Sequence, residues 1–192
     1  ISELRKYYVD EKIYLLTHHL SDKIKSYYSD ASNIEIIKEE IPLGTGGAIK
    51  NAIKVLGLSN NDSLLVLNGD TYMKPDLHEF VNQSSYDVNI LSMHQKDCGR
   101  SSTLLVENNT IKEFSEQGKR KIDSYISMGC YYIKDSDFII NNNKEFFMIE
   151  NQFIEYVKTD KIGTYLYDGI FIDIGIPKDY EKMREHIKKN EK

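Results

Sequence analysis

The chain has 192 residues and a formal net charge of −5, with 40% hydrophobic and 29% charged residues. That composition suits one globular domain with a real core. It carries no basic patch of the kind nucleic acid needs, and no apolar run approaches the ~18 residues of a membrane span. The two cysteines, Cys98 and Cys130, make neither a metal nor a disulfide framework and read as free thiols in a reducing cytoplasm.

Ile1, Leu4, Tyr7 and Tyr8 at helical spacing predict the end of an amphipathic helix over 1–9. A short apolar strand follows over 12–16. Ser21 reads as the N-cap of a helix with Ile24, Tyr27 and Tyr28 on one face. A second strand spans 33–38. Next comes Pro42-Leu43-Gly44-Thr45-Gly46-Gly47, three glycines in four residues, then a helix over 48–56 and an unbroken apolar strand over 63–67. Strands separated by helices predict an α/β fold with a Rossmann-like, doubly wound, mostly parallel sheet. The middle of the chain differs. Strands are predicted over 87–93, 102–106, 110–114 and 126–133, with an Asn108-Asn109 turn, so a small antiparallel insertion is expected. A helix over 147–157, strands over 164–167 and 170–174, and a last helix from Pro177 to about 189 complete the reading. The chain is expected to form a single domain over 1–192.

Glycines before a helix let bare backbone approach a ligand and aim N–H groups at it, and phosphate is the usual beneficiary. Asp70 lies just beyond a buried strand, where open α/β sheets hold ligands. It reads equally as a Mg²⁺ ligand or as part of an Asn68-Gly69-Asp70 turn that ends the strand. In 170–174 the three isoleucines share one face and Asp173 lies on the other with Phe171. A carboxylate in such a strand calls for a cation, a helix to cap or a paired lysine. Two carboxylates at two strand ends favour Mg²⁺ held between phosphoryl groups.

Taken in order, 42–49, 67–70 and 171–180 resemble the sugar-1-phosphate nucleotidyltransferases, and most of all their D-glycero-D-manno-heptose 1-phosphate guanylyltransferase branch. The resemblance implies that Asp70 and Asp173 hold Mg²⁺ and are the catalytic pair. It implies that Leu43, Gly44, Thr45, Gly46 and Gly47 contact the nucleobase through backbone, with Asn68 and Gly69 beside the nucleotide. Glu39 matches an acidic position suited to the N1–H and amino group of guanine. Glu116 and Gly129 match sugar-binding positions, so the resemblance implies a nucleotide-binding part in 1–80 and a sugar-binding part with the C-terminal helix in 81–192. Gln117 replaces the family's lysine there, Ser127 replaces an asparagine, and Met128 is expected to narrow the sugar space. Arg100-Ser101-Ser102 stands where the family often has Arg-Tyr-Gly.

The implied reaction joins an NTP, GTP above others, to a sugar 1-phosphate in the cytoplasm. Nucleic acid and membrane are not expected partners, and a homo-oligomer is possible. The alternative is a non-catalytic nucleotide- or sugar-binding regulatory domain. A metal-dependent phosphatase fits less well, since no water-activating group stands out. The family's first strand and its Gly-Gly-x-Gly-Thr-Arg-Leu loop are not found, so the chain reads as an N-terminally truncated piece. By itself that piece is expected to have little activity.

Overall fold

The computed structural model describes residues 1–115 and 122–190. In chain order the elements are β1 (Ile13–Thr17), α1 (Ser21–Tyr27), β2 (Ile34–Lys38), α2 (Gly44–Leu56), β3 (Leu64–Leu67), β4 (Thr71–Met73), α3 (Leu77–Gln83) and β5 (Val88–Asp97). Then come β6 (Thr103–Glu107), β7 (Thr110–Ser115), β8 (Ile122–Ile133), α4 (Asp137–Ile140), α5 (Ile149–Tyr156), β9 (Ile162–Leu166), β10 (Phe171–Asp173) and α6 (Pro177–Asn190). They group into two compact units, one of Ile1–Asp62 with Asp135–Tyr156, the other of Ser63–Lys134 with Val157–Lys192.

In the first unit β1 and β2 pair in parallel, from Ile13 opposite Ile34 to Thr17 opposite Lys38. Parallel neighbours need a crossover, and α1 supplies it. Helix α2 buries Ile49, Ala52 and Ile53, an i, i+3, i+4 stripe, and packs against β1, α4 and α5. Gly57, at φ +66°, ends it. The Leu58 N–H reaches back to the Ile53 carbonyl at 3.0 Å and the Gly57 N–H to that of Lys54 at 3.3 Å, a Schellman closure that only a left-handed residue permits. Ile139, Phe147, Ile149 and Phe153 complete this core.

Two local expectations give way here. Only a 3₁₀ turn, Leu4–Lys6, forms in the first nine residues. The Arg5 guanidinium takes the carbonyls of Tyr8 (2.9 Å), Glu11 (2.6 Å) and Asn33 (3.0 Å), which pins the segment in a turn rather than a helix. Ser21 is the first helical residue and not the cap. Its hydroxyl bonds Thr17 Oγ1 at 2.8 Å instead.

In the second unit six strands lie in the order β3-β8-β5-β9-β7-β6. Strands β3, β5 and β9 share one direction, and the long β8 runs against them between β3 and β5. The expected α/β class and antiparallel insertion are thus present. Asn108 and Asn109, at φ +50° and +63°, form the two-residue turn of the β6–β7 hairpin, the twist-compatible kind that Asn tolerates. Val88, Ile90, Leu91, Leu104, Ile111, Ile126 and Ile162 fill the core. Met128 is 0% exposed and belongs to the same core. A second, two-stranded sheet pairs β4 with β10, setting Thr71 opposite Asp173.

Candidate functional site

The glycine run of the first unit is the opening turn of α2 rather than a loop before it. The Gly46 and Gly47 N–H groups both donate to the Phe147 carbonyl, at 2.9 and 3.2 Å, and the Phe147 N–H donates to the Leu43 carbonyl at 3.0 Å. The Thr45 hydroxyl accepts from the Ile149 N–H at 2.9 Å and donates to Glu150 at 3.1 Å. A Cβ on Gly46 would lie 2.3 Å from the Phe147 ring, and one on Gly47 would lie 2.2 Å from the Glu145 carbonyl oxygen. Gly44 enters the helix at φ +72°. These glycines are therefore required by the chain's own 145–149 segment, which also uses two of the N–H groups that a helix start offers an anion. Among the described residues the Gly44 and Thr45 N–H groups meet no protein acceptor.

Glu39 follows β2 and is only 8% exposed. One carboxylate oxygen accepts the Leu43 N–H at 3.0 Å, which braces the turn into α2. Its backbone is fixed by the Thr17 carbonyl at 2.7 Å and by His18 Nδ1 at 2.9 Å. His18 thus has a structural partner.

In the second unit the Asn68-Gly69-Asp70 turn joins β3 to β4. The Asp70 carbonyl accepts from the Ile174 N–H at 2.8 Å, so the ends of β4 and β10 are tied together. Both candidate metal carboxylates converge beside Gly175. A Cβ placed there would lie 3.1 Å from Asp173 Oδ1 and 3.4 Å from Asp70 Oδ2. Convergent carboxylate oxygens fit a hard divalent cation that completes its shell with water and phosphate. Among the described residues no group of three or more His, Cys, Asp or Glu stands in metal-binding arrangement, so this pair is the candidate donor set.

Arg100 faces the pair, from the turn after β5. Its Nη2 lies 2.9 Å from Asp173 Oδ1, and its Nε donates to Asp173 Oδ2 at 3.1 Å. Nη2 is also 3.6 Å from Asp179 on α6. The bond to Asp173 raises the Arg100 pKa beyond its already high value. Asp179 is held below the usual carboxylate range, first by Lys182 at 2.6 Å and then by the charges around it. Sequence reading noted Arg100 only as part of a departure from a family pattern and missed this contact.

Gly129 sits at φ +69° in a bulge of β8 opposite Leu91, a common device beside functional sites. A Cβ on it would meet the Asn68 amide at 2.4 Å. Its carbonyl accepts the Asn68 N–H at 2.7 Å. Asn68, Gly129, Asp70 and Asp173 are thus brought together within one unit. Gly69 faces open space. Glu116 and Gln117 lie outside the described residues.

A family model described as nucleotidyl transferase matches residues 1–190. A D-glycero-alpha-D-manno-heptose 1-phosphate guanylyltransferase of Aneurinibacillus thermoaerophilus is 29% identical over 191 residues, covering 96% of this chain and 81% of the relative. The enzyme of the same name from Campylobacter jejuni is 31% identical over 174 residues, covering 88% of this chain and 76% of the relative. Among solved structures, HddC from Yersinia pseudotuberculosis complexed with GMP-PN superposes with a TM-score of 0.80 at 28% identity, over 97% of this chain and 82% of that one.

Proposed function

The chain belongs to the nucleotidyl transferase family, with the nucleotide-diphospho-sugar transferase fold, and from that premise we propose that it transfers GMP from GTP to a sugar 1-phosphate. An oxygen of the sugar phosphate attacks the α-phosphorus of GTP. The bond from that phosphorus to the bridging oxygen breaks, pyrophosphate leaves, and a GDP-sugar forms for surface polysaccharide or glycan synthesis. The observation that carries this reading is the convergence of Asp70 and Asp173 beside Gly175.

Asp70 and Asp173 would hold Mg²⁺, which supplies charge neutralisation for the two phosphates. Positioning and electrostatics account for most of such catalysis, so neither a covalent intermediate nor a protein base is required. In the nucleotide-binding part, 1–80, the unpaired Gly44 and Thr45 N–H groups and the free oxygen of Glu39 are offered to guanine, with Leu43, Gly46 and Gly47 shaping the approach. Asn68 and Gly69 flank the nucleotide. In the sugar-binding part, 81–192, Glu116 and Gly129 serve the sugar. The guanine assignment draws support from the names of both curated relatives and from the GMP-PN bound to HddC. NTP donors make this a cytoplasmic activity. The alternative of a non-catalytic binding domain is motivated by the departures from the family pattern at Gln117 and Met128. Met128 packs in the core and Gln117 lies outside the described residues, so the two readings part on whether pyrophosphate is released.

The test is pyrophosphate release by the complete protein carrying this chain, with Mg²⁺, four NTPs and a panel including heptose and mannose 1-phosphates. GTP is expected to be used best. Preference for another NTP would overturn the guanine assignment. Nucleotide binding without pyrophosphate release from any pair would overturn the enzyme.

A further inference from the structure

Arg100 engages both oxygens of the carboxylate that the proposed reaction needs. Asp173 Oδ1 takes Arg100 Nη2 at 2.9 Å and the Gly175 N–H at 2.8 Å, and Oδ2 takes Arg100 Nε at 3.1 Å. Both oxygens are therefore engaged by one planar fork, the geometry in which Arg binds carboxylate best. The fork is not locked in. The Arg100 side chain is 42% exposed, and a second carboxylate, Asp179, already lies 3.6 Å from the same nitrogen. Gly99 at φ +52° and the Ser101 N–H to Cys98 carbonyl bond of 2.9 Å place Arg100 on a tight turn at the end of β5.

We propose that Arg100 is a latch on the carboxylate pair, an internal cation that a divalent metal must displace from Asp173, so that metal loading hands the guanidinium over toward Asp179 and solvent. This rests on the reading of Asp70 and Asp173 as metal ligands. With the latch seated, the guanidinium offsets the repulsion between Asp70 and Asp173. A divalent metal would supply two positive charges in place of one, and Arg100 would be left as a mobile cation beside an anionic substrate. Arg100 is in this sense a positioning residue, acting through Asp173. An exposed pair of this kind is weak enough to exchange readily.

The experiment is Mn²⁺ binding, followed by titration calorimetry and by the electron paramagnetic resonance of free Mn²⁺, without nucleotide and at fixed ionic strength. It compares purified wild-type protein with Arg100→Gln, Arg100→Lys and Asp173→Asn. Arg100→Gln is expected to bind Mn²⁺ about fivefold more tightly than wild type, the factor an exposed ion pair can supply. Arg100→Lys, which keeps the charge and loses the fork, should fall between them, and Asp173→Asn should lose binding. A merely structural Arg100 would not yield a gain. Equal or weaker binding by Arg100→Gln overturns the latch and leaves the metal assignment standing. A gain in Arg100→Gln with Arg100→Lys identical to wild type assigns the effect to charge at a distance and also overturns it. If neither wild type nor Arg100→Gln binds more Mn²⁺ than Asp173→Asn does, both the latch and the metal assignment fall.

Discussion

The Phe147 carbonyl accepts the Gly46 N–H at 2.9 Å, and the Phe147 ring occupies the place where a Gly46 Cβ would go, with 2.3 Å between them. One residue both caps the start of α2 and excludes any side chain from it. Gly46→Ala is therefore expected to cost about 1–3 kcal/mol through overpacking, read as a lower urea midpoint. Phe147→Leu in the same background should recover part of the loss, since it removes the ring atoms that clash. A fully additive double variant would show that the two residues do not meet.

Gly129 carries a similar constraint in the second unit. Its φ of +69° costs an L side chain about 1–2 kcal/mol, and the Asn68 amide 2.4 Å from the would-be Cβ adds to this. Gly129→Ala should lower the unfolding midpoint, and Asn68→Ala should relieve the steric part only. If Gly129→Ala melts like wild type, the bulge is more adaptable than described.

Most of the fold was legible because its elements have strong periodicity. The α2 stripe, the apolar β3 and the Asn108-Asn109 turn each carry a local signal. The strands β4 and β10 have three residues each, too short for any period to declare their pairing. The helix α3 starts at Leu77 with a cap at Asp76, whose carboxylate accepts the Glu79 N–H at 2.9 Å. That signal was present and was not used. Of the candidate site, the two aspartates were readable as carboxylates at strand ends. The Arg100–Asp173 pair spans 73 residues, and nothing local in a sequence announces such a partner. The glycines were legible as a demand for space, but not the identity of what fills it. A missing Cβ records closeness without recording whether the neighbour is a ligand or Phe147.

If Asp70 and Asp173 hold the metal, Asp70→Asn and Asp173→Asn should each lower turnover of the complete protein by about 100-fold or more, the scale of losing a charge-stabilising contact. A chelator should abolish turnover, and added Mg²⁺ should restore it. Near-normal Mg²⁺-dependent turnover by either variant would remove that residue from the metal site. The unfolding midpoint of each variant reports separately on folding, because both aspartates lie toward the surface.

Cys130 gives a pH prediction. It is fully buried, and loss of hydration pushes its thiol pKa up. An unfolded thiol titrates near pKa ~8.5. Below that pH both states keep the proton, and Cys130 adds no pH dependence. Above it the unfolded state releases the proton while the folded state keeps it, so stability falls as pH rises. Urea midpoints should decline above about pH 8.5, and Cys130→Ala should flatten that decline. Cys98 is buried too, so neither thiol should react with a thiol reagent until the protein unfolds.

The interleaving of the two units has a consequence for biosynthesis. Thr45 and its partner Glu150 are 105 residues apart, and the segment that plugs the α2 glycines is contiguous with Glu150. At roughly 5–20 residues per second, a ribosome leaves the first turn of α2 without its plug for roughly 5–20 seconds. During that wait the emerging Gly-Thr-Gly-Gly turn has no carbonyl to hold it and little helical preference of its own. The first unit is thus completed by chain made after most of the second unit has emerged. Codon-level pauses before residue 150 should lengthen the vulnerable interval, and chaperone capture should fall off once the 145–149 segment leaves the exit tunnel.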